Sequence, residues 1–284
     1  MYSTLCCGAI RVKLPTLEAQ LAGAKKHGFR GLQVDAGPLA ERIERDGLES
    51  VRGLFEAAGV RAAGFGLPVD WRGTEEAWRQ GLERLPRLAR AMAALGVKRT
   101  FTHLWPSSDE LNFDANWRFH VERFTPIAKI LAEHGAALGL EFLGPKTLRD
   151  SKRYPFVYTL GGMLELGRAI GPNVGLLLDC WHWHTGGGTV AELRALRPEQ
   201  VVFVHVNDAP AGIPVDEVQD TTRALPGETG VIDIVGFLRA LKEIGYDGPV
   251  TPEPFKKELK DLPDDDARLA AVGASMNAIF SRAF

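Results

Sequence analysis

TLGGMLELGRAIGPNVGLLLDCWHWH, residues 159–184, contains one whole structural unit of this chain. A helical stretch runs to Ile170, a Gly-Pro-Asn break follows, and the apolar run Val174–Leu178 ends at Asp179 with His182 and His184 just beyond. The same alternation recurs on both sides. Upstream, FTPIAKILAEHGAAL leads into GLEFLGP, and WRQGLERLPRLARAMAAL leads into GVKRTFTHLWP. Downstream, TVAELRALRPEQ leads into VVFVHVNDAP, and VIDIVGFLRALKEIGYDG leads into PVTPEPF. With LCCGAI, RGLQVDAG and RAAGFGLP, the chain offers eight short β-rich runs, joined through helices.

Strands that alternate with helices form a parallel sheet, because parallel neighbours need a crossover. Near-continuous apolar runs such as VGLLL and VVFVHV fit strands covered on both faces. Eight such units in 284 residues predict a single (β/α)8 TIM barrel, one domain over residues 1–284, with its functional face at the C-terminal strand ends. No GxGxxG follows the first strand, so an open dinucleotide-binding sheet fits less well. The net charge of −2, with both signs mixed, gives no footing for nucleic acid or a membrane surface. No window is apolar enough to span a bilayer. Three cysteines, two of them the neighbours Cys6 and Cys7, make no disulfide framework, which points to a reducing cytoplasm.

Four strands end in groups that bind metal: Glu141 in GLEF, Asp179 in GLLLD, His205 in VVFVHVND and Glu253 in VTPEPF. One strand-end carboxylate is usually a cap or a loop hydrogen-bonder, and a lone histidine on an apolar strand usually packs in the core. Four together, each at the mouth of a barrel, favour one divalent ion, since buried carboxylates need neutralising. Three carboxylates and one imidazole suit Mn²⁺ or Mg²⁺ first, with Co²⁺ and Zn²⁺ also admitted. His103 and Trp105 follow the fourth apolar run and are candidates to meet a sugar, with Phe65 and Trp71 as candidate walls. His27, His120, His134 and His184 read as surface or packing residues. Lys146, Arg149, Lys152 and Arg153 read as solvated charge, and Cys180 as a small buried residue.

The set LEFLGPK, LLLDCWHWH, VVFVHVND, RALPGETGVID and GYDGPVTPEPF resembles the xylose isomerase-like barrel superfamily, and within it the sugar phosphate isomerase/epimerase-like proteins. The resemblance implies Glu141, Asp179, His205 and Glu253 as metal ligands, and Glu141 and Glu253 also as an acid/base pair flanking a bound sugar. It further implies His182 and Arg223 as substrate contacts and admits a homodimer. The family's usual PGEG reads PGETG here, with Thr229 inserted, which alters the loop around Glu228.

The chemistry follows from the residue types. One glutamate removes a proton next to a carbonyl, a divalent ion stabilises the developing charge, and a second glutamate returns the proton. Return to the same carbon from the opposite face is epimerisation, return to the neighbouring carbon is isomerisation, and loss of a β-hydroxyl is dehydration. The expectation is a metal-dependent isomerase or epimerase of a keto-sugar or inosose, with a dehydratase (lyase) as the alternative. An endonuclease IV-like nuclease fits less well, because the run after His205, NDAPAGIPVDEVQDTTR, lacks the histidine its metal cluster needs. A non-catalytic sugar-binding subunit is disfavoured by the presence of both glutamates.

Overall fold

The computed structural model describes all 284 residues. Eight strands form the barrel: β1 Tyr2–Leu5, β2 Gly31–Gln33, β3 Arg61–Gly66, β4 Arg99–Leu104, β5 Ala137–Phe142, β6 Val174–Asp179, β7 Val201–Val206 and β8 Pro249–Pro252. The sheet closes in the order β1-β8-β7-β6-β5-β4-β3-β2, and every pairing in it is parallel. It is the (β/α)8 TIM barrel that the alternation predicts.

The helices are set by local chemistry. Thr16, Thr74, Asn112, Thr159, Asp233 and Asp264 each accept a backbone N–H three residues on, satisfying a donor that the first helical turn leaves free. At the other end, Gly59 closes the helix Leu48–Ala58 at φ +66°, a conformation that glycine adopts without a Cβ clash. Helical and strand faces together bury one apolar layer around the barrel, from Leu5 and Ile10 to Met276 and Ile279.

Inside the barrel lies a separate small cluster, Phe101, Leu177 and Phe203. These sit two residues before His103, Asp179 and His205 on their strands, so the period-two alternation of β-structure points both sets inward, one above the other. Both phenyl rings meet the His205 imidazole nearly edge-on, with centroids 5.7 Å away. The apolar trio is therefore a dry floor beneath the polar mouth.

The structure adds elements that the sequence pattern did not suggest. Ser107–Ser108 and Tyr154–Pro155 pair as a two-residue antiparallel ribbon above the barrel. A helix at Ala36–Asp46 precedes Leu48–Ala58 between β2 and β3. The helical stretch TVAELRALRPEQ is broken into Val190–Arg194 and a 3-10 turn at Pro198–Gln200. No helix is long and apolar enough to cross a membrane.

Candidate metal centre at the barrel mouth

Register brings the four strand-end groups together. His103 on β4 is the Cα partner of Glu141 on β5, and Asp179 on β6 is the partner of His205 on β7. The Glu253 amide donates to the Val206 carbonyl at 3.0 Å, which extends the β7–β8 ladder by one residue. One ligand atom from each of Glu141, Asp179, His205 and Glu253 lies within 4.8 Å of all the others. His205 Nδ1 stands 3.7 Å from Glu141 Oε1 and 3.4 Å from Glu253 Oε2.

The charge balance of this cluster is carried by Arg223, which is buried. Its Nη1 donates to Asp179 Oδ2 at 2.9 Å and to Glu253 Oε2 at 3.2 Å, and its Nη2 donates to Asp220 Oδ1 at 2.8 Å. The guanidinium lies between the Trp181 ring at 5.2 Å and the Phe255 ring at 4.8 Å. Phe255 holds φ at +42°, strained for a residue with a side chain, two positions after Glu253. The other oxygen of Asp179 accepts from Trp181 N at 2.8 Å and Asn207 Nδ2 at 3.0 Å. Asp179 thus caps the short helix Cys180–Thr185 while turning its second oxygen to the mouth.

Burial holds Glu141 up at about 8, with His205 pulling against it and Glu253 adding to it. Glu253 is buried too, but His205 and Arg223 outweigh burial and hold it at about 2. His205 is pushed up despite its burial, because two glutamates face it. Burial lowers His182 to about 3. The His182 Nδ1 accepts from Gly144 N at 3.2 Å, so the ring proton of the neutral imidazole sits on Nε2. That N–H faces Arg223 Nη2 at 3.3 Å, two donors side by side. A Cβ at Gly144 would sit 2.2 Å from the His182 carbonyl, so only glycine lets the two loops meet here.

A divalent ion fits this donor set. Glu141 Oε1 and both ring nitrogens of His205 are buried without a hydrogen-bond partner, and three carboxylates converge around them. Buried polar atoms are otherwise almost always paired. The structure therefore gathers Glu141, Asp179, His205 and Glu253, places Arg223 and His182 beside them, and sets His103 at the edge, exposed to the mouth. His103 lies within β4 and not after it. Phe65 is no pocket wall, because it is fully buried in the core outside the barrel. Trp71 is buried as well and donates to Thr102 Oγ1 at 3.2 Å. Cys180 is a buried packing residue whose Sγ lies 3.1 Å from the Asn207 carbonyl.

Sequence reasoning passed over two residues. Asp220 grips Arg223 from a loop with no pattern that marks it. Asp208 is wholly buried and accepts four backbone N–H groups, from Ala209, Thr229, Gly230 and Ile232. Its neighbours NDAP and PGETG were the available signal, a buried acid facing a turn of amides. The bond from Thr229 N gives the inserted threonine a place, and Glu228 turns away to pair with Lys256.

The eight-stranded parallel barrel with an acidic and imidazole mouth at its C-terminal strand ends defines a class of TIM-barrel proteins built around that mouth. The chain belongs to the xylose isomerase-like TIM barrel family, whose profile matches residues 21–277. A xylose isomerase domain protein from Alicyclobacillus acidocaldarius is similar over the whole chain, with 33% identity and a TM-score of 0.85, covering 99% of that protein. Inosose isomerase of Halalkalibacterium halodurans is 23% identical over 266 residues, 93% of this chain and 91% of that one. A 3-dehydroshikimate dehydratase of Pseudomonas aeruginosa is 27% identical over 87% of this chain, which matches 37% of that longer protein.

Proposed function

We propose that the chain is a divalent-metal-dependent isomerase or epimerase of a small keto-sugar or inosose. The observation that carries this reading is the pair Glu141 and Glu253, on β5 and β8, which bracket Asp179 and His205 in one buried cluster. Two carboxylates on either side of one site suit removal of a proton from one face of a carbon and its return from the other. Their environments differ: burial pushes the Glu141 carboxyl up, while His205 and Arg223 outweigh burial at Glu253 and hold it down. Glu141, Asp179, His205 and Glu253 would hold the ion, which when bound supplies electrostatic stabilisation for charge developing on a substrate oxygen. We read it as Mn²⁺ or Mg²⁺, because three of the four donors are carboxylate oxygens. The adjoining donors His182 Nε2 and Arg223 Nη2 are set to receive a substrate hydroxyl or carbonyl oxygen. The similarity to inosose isomerase supports a polyhydroxylated ketone as substrate.

The test is proton exchange. Mn²⁺-loaded protein is incubated in D₂O with ketoses, keto-acids and inososes and followed by NMR, where deuterium entering beside a carbonyl is the expected outcome. Glu253→Gln and Glu141→Gln are each expected to slow that exchange by roughly 10²–10⁴-fold, the usual worth of one acid or base. An absence of exchange with every compound overturns the reading. A second reading, dehydration, draws on the similarity to 3-dehydroshikimate dehydratase. It predicts exchange accompanied by loss of water and new olefinic signals.

A further inference from the structure

Around the mouth, some of the cations near the strand ends have acidic partners and some do not. Arg223 has three carboxylates, Lys146 pairs with Asp150, and Lys152 lies 3.9 Å from Asp109. Arg149 and Arg153 rest on the rings of Tyr158 and Tyr154 in the segment after β5. Arg72, in the loop after β3, also lies on an aromatic ring, but its guanidinium is tied to a strand-end residue of the mouth. It forms no ion pair, and its only hydrogen bond runs from Nη2 to the backbone carbonyl of His103. The acid that acts on it most, Asp70, spends Oδ1 on the Gly73 amide at 2.9 Å.

This guanidinium is nonetheless held in place. Its plane lies over the Trp71 ring, 4.4 Å from the centroid. Trp71 is itself pinned by its bond to Thr102 and by packing on His120 and Phe124, at 5.2 and 4.8 Å. A flexible surface arginine loses rotamer freedom when fixed in this way, and stacking with one hydrogen bond to a carbonyl leaves Nε and Nη1 without partners. The carbonyl that anchors it belongs to His103, the register partner of Glu141. Its anchor is thus one strand removed from the cluster, on the side of the mouth away from Arg223. Burial lowers the His103 pKa, with Arg72 adding to that effect and Glu253 and Asp220 opposing it.

We infer that Arg72 receives an anionic group, a carboxylate or a phosphate ester, carried by the far end of the substrate while its ketone end lies at the Glu141–Glu253 cluster. This rests on the reading of the mouth as a keto-sugar site and narrows its substrate class to acidic polyhydroxy ketones. A planar, preset guanidinium recognises carboxylate and phosphate through paired N–H donors, a geometry lysine lacks. The exposed His103, whose carbonyl Arg72 bonds, stands next to it to meet the middle of such a molecule.

The experiment is calorimetric binding to Mn²⁺-loaded protein, wild type and Arg72→Gln, of three ketones matched in carbon skeleton: neutral, carboxylated and phosphorylated. Wild type is expected to bind one of the acidic members at least 10-fold more tightly than the neutral one. Which of the two it is decides between carboxylate and phosphate. Arg72→Gln is expected to reduce that preference by about 10–100-fold, the worth of a hydrogen bond between charged groups, and Arg72→Lys to restore part of it. Thermal unfolding of the variants checks that they fold. Equal binding of neutral and acidic members, or a preference that moves by less than 10-fold in Arg72→Gln, overturns the inference. Deuterium exchange with the neutral ketone would then still stand for the proton-transfer reading. Acidic binding that depends on Arg72 but brings no exchange overturns that reading and leaves this one intact.

Discussion

Asp179 shows how much one side chain does at the mouth. One oxygen caps a helix through Trp181 N and takes Asn207 Nδ2, and the other takes Arg223. Asp179→Asn keeps a cap oxygen but presents an NH₂ group to Arg223 and removes a charged ligand. The expected result is Mn²⁺ binding weakened about 100-fold or more by titration calorimetry, with the helical signal retained. Unchanged affinity would remove Asp179 from the ligand set. His120 is a second test at this scale, far from any ion. It is buried against Trp71, Phe124 and Phe156, its Nδ1 lies 2.7 Å from the Asn116 carbonyl, and burial lowers it to about 4. Its folded value lies below the ordinary histidine value of about 6.5, so the unfolded chain takes the proton first as pH falls. The stability this gives is fully present above about 6.5 and is lost as pH falls from there through 4, in total about 3 kcal/mol. Urea unfolding at pH 7 and pH 4.5 should show His120→Phe losing distinctly less stability than wild type over that interval. Equal losses would refute the assignment.

The element that decides the shape of the mouth is the long connection after β7. Asp208 N and the Ala224 carbonyl, and Ala224 N and the Asp208 carbonyl, form a bridge at 3.0 and 2.8 Å, next to Arg223. The Asp208 carboxylate then gathers the amides of Thr229, Gly230 and Ile232, so this loop is folded around a buried acid. Asp208→Asn is close in shape, but its NH₂ group faces amides that are themselves donors. It should cost about 2–4 kcal/mol in denaturant unfolding, since buried donors lose their acceptor. Because the bridge seats Arg223, ligand affinity should fall along with stability, and a variant of normal stability and binding would dismiss this role. The barrel strands were legible from the sequence because each is an apolar run between a helix and a polar end, a pattern local to a few residues. The convergence of Glu141, Asp179, His205 and Glu253 was legible because all four lie at the C-terminal ends of their strands. The Asp208 cradle, the grip of Asp220 on Arg223 and the Ser107–Tyr154 ribbon were not, since each depends on which loops meet in space. The pocket role expected of Phe65 failed on strand parity: Gly64 and Gly66 take the inward positions of β3, and the phenyl ring turns to the helices.

At the scale of the whole molecule, the four clustered groups come from the ends of four consecutive strands, β5 to β8, at one end of the barrel. Without an ion, burial pushes Glu141 toward its neutral form, and Asp179 and Glu253 face Arg223 and the His205 imidazole, whose affinity for a proton is raised by Glu253 and Glu141. The apoprotein is therefore a complete fold with its charges matched, and it should unfold cooperatively rather than lose its C-terminal half first. An ion that binds the folded state alone adds stability by mass action, about 2.7 kcal/mol at a hundred times its dissociation constant. For a domain of this size that corresponds to a rise in Tm of roughly 5–10 °C. Calorimetric scans with Mn²⁺, Mg²⁺ and Zn²⁺, each at a hundred times its own measured dissociation constant, should show that rise in wild type. The rise should vanish in His205→Asn, which removes the one nitrogen donor while leaving Phe101 and Phe203 beneath it. If the increase persists in His205→Asn, the ion sits elsewhere on the surface, and the cluster at the mouth is held together by Arg223 alone.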